Sequence, residues 1–175
     1  ITAYNNYIRP QPALLLRVAV GLAFRRARLQ YVYSILRGKD LDSGQFSQER
    51  RDAQFQVLKD AQARVLNLRH WHDYFRAIAR AGFLGGRMIS SNNNLLFCYV
   101  LYLIGRTDYG VEEGELRRVI AKWFFMSSLT GRYTGSPEST LEFDLARFRD
   151  ISTAEDFVAV LDRVCDSTLT SDFWT

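Results

Sequence analysis

Apolar residues recur at every third or fourth position along most of the chain, the period of helices that bury one face, and no stretch alternates apolar and polar as a strand would. Pro12 stands where a helix can start, and Leu15, Val18, Leu22, Leu29, Val32 and Leu36 keep a stripe up to Gly38, which predicts one long first helix. The polar run 38–47, GKDLDSGQFS, is rich in turn formers and reads as a flexible loop. A second helix follows with Phe55, Leu58, Gln62, Val65 and Leu66 on one side. Leu68, Trp71, Tyr74, Phe75 and Ile78 mark a third, stopped by a left-handed Gly82.

The connector GFLGGRMISSNNN leads into a run from Leu95 to Ile104 that is hydrophobic all round. Such a helix must be enclosed by its neighbours, so it is expected at the centre of the bundle, capped by the asparagines before it. After a turn at TDYG, Glu112, Glu113 and Glu115 crowd a helix start, where the dipole favours negative charge, and Leu116, Val119, Ile120, Trp123 and Phe124 give the buried face. Ser136 as N-cap and Pro137 at the first helical position open the next helix, with Leu141, Leu145 and Phe148 inward. A last one has Ser152 and Glu155 in capping-box spacing, then Phe157, Val160, Leu161 and Val164. The expected fold is all-α, an irregular bundle of six or seven helices around a hydrophobic central helix, with residues 1–175 forming a single helical domain.

Composition narrows the function. With 175 residues, 47% hydrophobic and 14% aromatic, the chain can bury roughly two thirds of its unfolded surface and fold without staples. Cys98 and Cys165 lie inside apolar helical patterns, which points to reduced core thiols and a cytoplasmic setting. The longest apolar run is about half a bilayer span, so no membrane partner is expected. The opening ITAYNNYIRP starts at Ile1 and reads as an extended lead-in, so the stretch is expected to be a fragment of a longer multidomain protein. The net charge of +4 comes mostly from arginine, which suits bidentate recognition of phosphate or carboxylate.

Candidate chemistry is sparse. His70 and His72, two residues apart on a helix, point about 200° away from each other and cannot share a metal ion. Asp73 can pair with His70, but no nucleophile is tied to them by spacing. Two arginine stripes can each track a phosphate backbone: Arg17, Arg25 and Arg28 on the first helix, within about 80° of arc, and Arg69, Arg76 and Arg80 on the third. Salt bridges on a solvated face explain them as well. The loop GRYTGSPES places Arg132, Tyr133 and Ser136 before a helix whose free N–H groups and positive dipole end suit an anion. The same letters serve a tight helix-to-helix connection, with Glu138 and Glu142 answering the dipole. No phosphate loop, dinucleotide fingerprint, H-E-x-x-H or C-x-x-C is present, so no catalytic residue, metal site or cofactor is assigned to this stretch.

The wording RMISSNNNLLFCYVLYLIG, then KWFFMSSLTGRYTGSPESTLEFDLARF, and the ending LTSDFW resembles the helical portion of the bacterial family called domain of unknown function 262, which includes the GmrSD-type modification-dependent restriction proteins. The similarity covers most of the chain and is strongest from Arg87 to Asp150. It implies a parent protein with an upstream ParB-like domain bearing an Asp-Gly-Gln-Gln-Arg motif, tied to nucleotide hydrolysis or DNA cleavage, and often a downstream His-Asn-His nuclease. Neither motif occurs here. The resemblance therefore implies a non-catalytic scaffold or connector in a defence protein with nucleotide-dependent nuclease activity, whose partners are other domains of the same parent chain and DNA. The alternative is a protein interaction or oligomerisation module without nucleic-acid binding, with Tyr31, Tyr33 and Phe173 as a partner patch.

Overall fold

The first apolar stripe does not make one helix. In the computed structural model, which describes residues 7–40, 43–89 and 91–174, it breaks into α1 (Pro12–Phe24) and α2 (Leu29–Leu36). Arg25 sits between them in the left-handed region, at φ 52, and its amide closes α1 on the Gly21 carbonyl. The remaining α-helices are α3 (Gln48–Val65), α4 (Leu68–Arg80), α5 (Asn92–Leu103), α6 (Glu113–Leu129), α7 (Pro137–Ala146) and α8 (Ala154–Thr168). The described residues thus contain eight where six or seven were expected, and the difference is the break at Arg25. The sole strand-like feature among them is an isolated bridge from Lys39 to Phe46. That bridge, with Asp40 N–H donating to Gln45 at 2.8 Å and Ser47 N–H to Gly38 at 3.1 Å, ties together the described parts of the loop 38–47, whose residues 41–42 lie outside the described set.

The core is built around α5, in which every residue from Asn94 to Leu103 is buried, as the all-round apolar pattern requires. It packs against α1 on one side and α6 on the other, while α4 and α8 cover α6 and α3 covers α1. An aromatic stack fastens α4 to it: Trp71 lies 3.8 Å from Tyr99 between ring centroids, and the Tyr74 hydroxyl donates to the Leu95 carbonyl at 2.6 Å. The end of α5 widens into a π-turn, Ile104–Asp108, at Gly105. A Cβ there would stand 2.6 Å from Leu116 and 2.7 Å from Phe157, so the bare backbone is what lets α6 and α8 close on this turn.

Several local details differ from the pattern reading. Ser91, not an asparagine, caps α5 by accepting the Asn94 N–H, and the Asn94 side chain is buried, donating to Ser128 at 2.8 Å. Thr153, not Ser152, caps α8, accepting from Asp156 at 3.0 Å. Ser136 occupies the N-cap position of α7 without a side-chain cap bond, and Pro137 follows as expected. Leu29, Phe55, Leu66 and Leu68 were expected inward and are exposed. The lead-in lies partly outside the described residues, but Tyr7 stacks on Phe75 at 4.6 Å and Ile8 is buried, which fastens its end to α4. No helix among the described residues is long and apolar enough to cross a membrane.

Candidate functional site

The loop after α6 is built around a buried carboxylate. Gly131, at φ 61, ends the helix and turns Arg132 and Tyr133 inward toward Asp144 of α7, which has no solvent exposure. The Arg132 guanidinium forks onto it, Nε to Oδ2 at 2.9 Å and Nη2 to Oδ1 at 2.5 Å, and lies 5.3 Å above the Trp123 ring. The Tyr133 hydroxyl donates to the same Oδ2 at 2.8 Å, with its ring set edge-on against Phe97. Burial opposes the charge on Arg132, but the Asp144 bonds outweigh it and hold the cation above its ordinary pKa. Burial, and then Asp144, push the Tyr133 hydroxyl well up. An anion at this loop would have to compete with Asp144 for the guanidinium. Of the two acids expected to answer the α7 dipole, Glu138 lies in its first turn and also pairs with Arg17 at 2.5 Å, whereas Glu142 is turned to the α1–α2 break.

The two arginine stripes end differently. On the first, Arg17 is held by Glu138, Arg25 by Asp108 and the Leu22 carbonyl, and Arg28 donates to Ser139 at 3.4 Å. The break at Arg25 also takes these side chains off one continuous helix face. On the second, α4 buries Trp71, Tyr74, Ala77 and Ile78 and leaves Arg69, Arg76 and Arg80 exposed on the opposite side. Arg76 pairs with Asp73 at 2.9 Å, and Arg69 and Arg76 border a depression of about 460 Å³ shared with Leu68, His72 and Glu113. His70 and His72 diverge as their spacing requires, one half-buried and one exposed. Burial, then the Arg106 charge, lower the His70 pKa, with Asp73 opposing them. Tyr31 and Tyr33 lie on α2, the former under the Arg26 guanidinium at 4.8 Å, while Phe173 packs edge-on to Trp174 in a terminal turn.

Two polar groups that pattern reading did not single out, Asp108 and Asp144, organise these regions together with Glu142, which was read only as answering a helix dipole. Asp108 receives Arg25 and, at 2.6 Å, Arg64, joining the π-turn to α1 and α3. Their signal was faint, since a lone carboxylate in a helical pattern reads as solvated until a partner distant in sequence is known. Cys98 and Cys165 are both buried and free. Burial pushes Cys165 up to about 12 and Cys98 higher, so both are protonated, unreactive thiols. Among the described residues no group of three or more His, Cys, Asp or Glu could hold a metal ion. No family model, curated protein or solved structure matches the chain.

Proposed function

We propose that the chain is a helical scaffold module of a GmrSD-like defence protein that presents the outer face of α4 to DNA. The observation that carries this reading is the contrast between the two faces of α4. One is locked into the aromatic core through Trp71 and Tyr74, and the other turns Arg69, Arg76 and Arg80 to solvent on a rigid rod. Arginines fixed in this way can meet phosphates with little loss of backbone freedom. The loop and helix wording described above supports the kinship.

The test is retention of duplex DNA by the 175-residue chain at low salt, beside Arg69→Glu/Arg76→Glu/Arg80→Glu. The expected outcome is loss of retention in the triple variant, and a wild-type salt dependence whose slope falls by about two to three when the arginines are reversed. Equal retention by both proteins would discard the DNA-facing role. A second reading, a protein interaction module, is favoured by the apolar groove between α1, α2 and α3, where Leu29 is 57% exposed.

A further inference from the structure

The groove between α1, α2 and α3, ended by Leu141 of α7, encloses about 490 Å³. Leu16, Val20, Leu29, Val32, Leu36 and Phe55 line it, and its floor reaches Phe97 of the central helix. Leu16 and Phe55 are each 44% exposed on its rim. Apolar rim side chains are thus open to water along a channel bounded by helices, where an added helix would bury them.

Charge is distributed unevenly along this channel. At the α7 end Arg17 and Glu138 form an ion pair at 2.5 Å and cancel. At the other end Leu36 and Phe55 continue into an open trough of about 980 Å³, bordered by Arg37, Arg51 and Lys59 against a single acid, Asp52. Arg51 and Asp52 pair at 3.5 Å, with Gln48 donating to the same carboxylate at 3.1 Å, which leaves Arg37 and Lys59 as the cations in excess. Arg37 rests over the rings of Tyr33 and Phe46, at 5.5 and 5.6 Å, which holds its charge beside the trough. The surface is therefore apolar for its length and cationic at one end.

We infer that this groove docks an amphipathic helix of a partner polypeptide, its apolar stripe over Leu16, Leu29 and Phe55 and its carboxylates against Arg37 and Lys59, beside the Arg51–Asp52 pair. An apolar stripe supplies the affinity, and the charge at one end fixes the direction in which the helix lies. The inference rests on the interaction reading and is independent of DNA retention through α4, so either can fail alone.

The experiment is selection from a displayed library of amphipathic helices of about 15 residues, with fixed leucines on one stripe and random residues elsewhere, on the 175-residue chain and on Leu29→Glu. Enrichment on the wild type only, with Asp and Glu gathered at one end of the selected helices, is expected. A synthetic winner should bind at least about tenfold tighter than its lysine-ended counterpart at low salt, with the gap narrowing as salt rises. The double variant Arg51→Glu/Lys59→Glu should reverse that preference. Both variants change exposed side chains, and circular dichroism verifies that they fold. Equal enrichment on Leu29→Glu, or selected helices without acidic ends, overturns the inference. So does a concentration-dependent dimer of the wild type that Leu29→Glu abolishes, because a second copy would then be the occupant, and so does groove-dependent binding of dodecanoate where no helix is selected.

Discussion

Glu142 accepts the backbone N–H of Ala27 at 2.6 Å, so a side chain of α7 closes the break between α1 and α2. The same oxygen takes the Arg28 N–H at 3.3 Å, and the other takes Arg26 at 2.9 Å and Arg149 at 2.8 Å. Burial alone would raise the affinity of this carboxyl for a proton, but the Ala27 and Arg28 amides and the two guanidinium groups reverse it and leave the pKa below the ordinary value. Arg149 also donates to the Arg25 carbonyl at 2.9 Å. A left-handed arginine costs about 1–2 kcal/mol, and Asp108 on its side chain together with Glu142 on the next turn offsets that cost.

Glu142→Ala should therefore loosen the break and not the whole bundle. Leaving two amides and two cations without their acceptor is expected to cost about 2–4 kcal/mol, a fall in Tm of about 5–15 °C for a chain of this size. Hydrogen exchange offers the sharper readout, since the Ala27 and Arg28 amides should lose protection while α5 keeps its own. Unchanged protection at these two amides would mean that the local sequence, and not α7, sets the break.

The Arg132–Asp144 pair makes a different stability claim. Asp144 is fully buried, so Arg132→Ala leaves its charge with only the Tyr133 hydroxyl and a long Arg147 contact at 3.9 Å, and should cost about 3–5 kcal/mol. Tyr133→Phe removes one hydrogen bond to that charge and should cost about 1.5–3 kcal/mol. The double variant Arg132→Ala/Asp144→Ala should be more stable than the sum of the two single changes, because the stranded charge is gone. Urea unfolding of the four proteins measures the coupling. An Arg132→Ala cost under about 0.5 kcal/mol would place this pair with ordinary surface bridges.

How much of this was legible in the chain depended on the range of the contacts involved. The central helix was plain because ten consecutive positions from Asn94 to Leu103 are buried, and a segment apolar on every side has no other place to go. The buried face of α6 was equally plain, and Leu116, Val119, Ile120, Trp123 and Phe124 all point inward. The break at Arg25 was hidden, since an unbroken apolar period continues through it and its determinants, Asp108 and Glu142, lie more than 80 residues away. For the same reason Arg132 could be noticed as a loop cation, while its acceptor Asp144 looked like any acid of an amphipathic helix. Of the two arginine stripes, only neighbours brought in by the fold separate the one held by Glu138, Asp108 and Ser139 from the one left exposed on α4.

Acid should weaken the docking of α8 on α6 modestly, by removing the charge of Asp162. Asp162 receives Arg118 at 3.0 and 2.6 Å and Lys122 at 2.9 Å. The Arg118 bonds hold its pKa down, burial opposes them, and Lys122 adds to the lowering, from an ordinary 3.8 to about 2. The unfolded chain takes up this proton near pH 3.8, whereas the folded chain refuses it until about 2. The contribution to stability is thus complete above 3.8, declines as pH falls between 3.8 and about 2, and is absent below. Asp162→Asn should lower stability at pH 7 by about 1 kcal/mol, a modest figure because the network is partly exposed. Its Tm curve should then meet that of the wild type near pH 2. Curves that stay parallel across that window would show that the charge on Asp162 takes no part in holding α8 against α6.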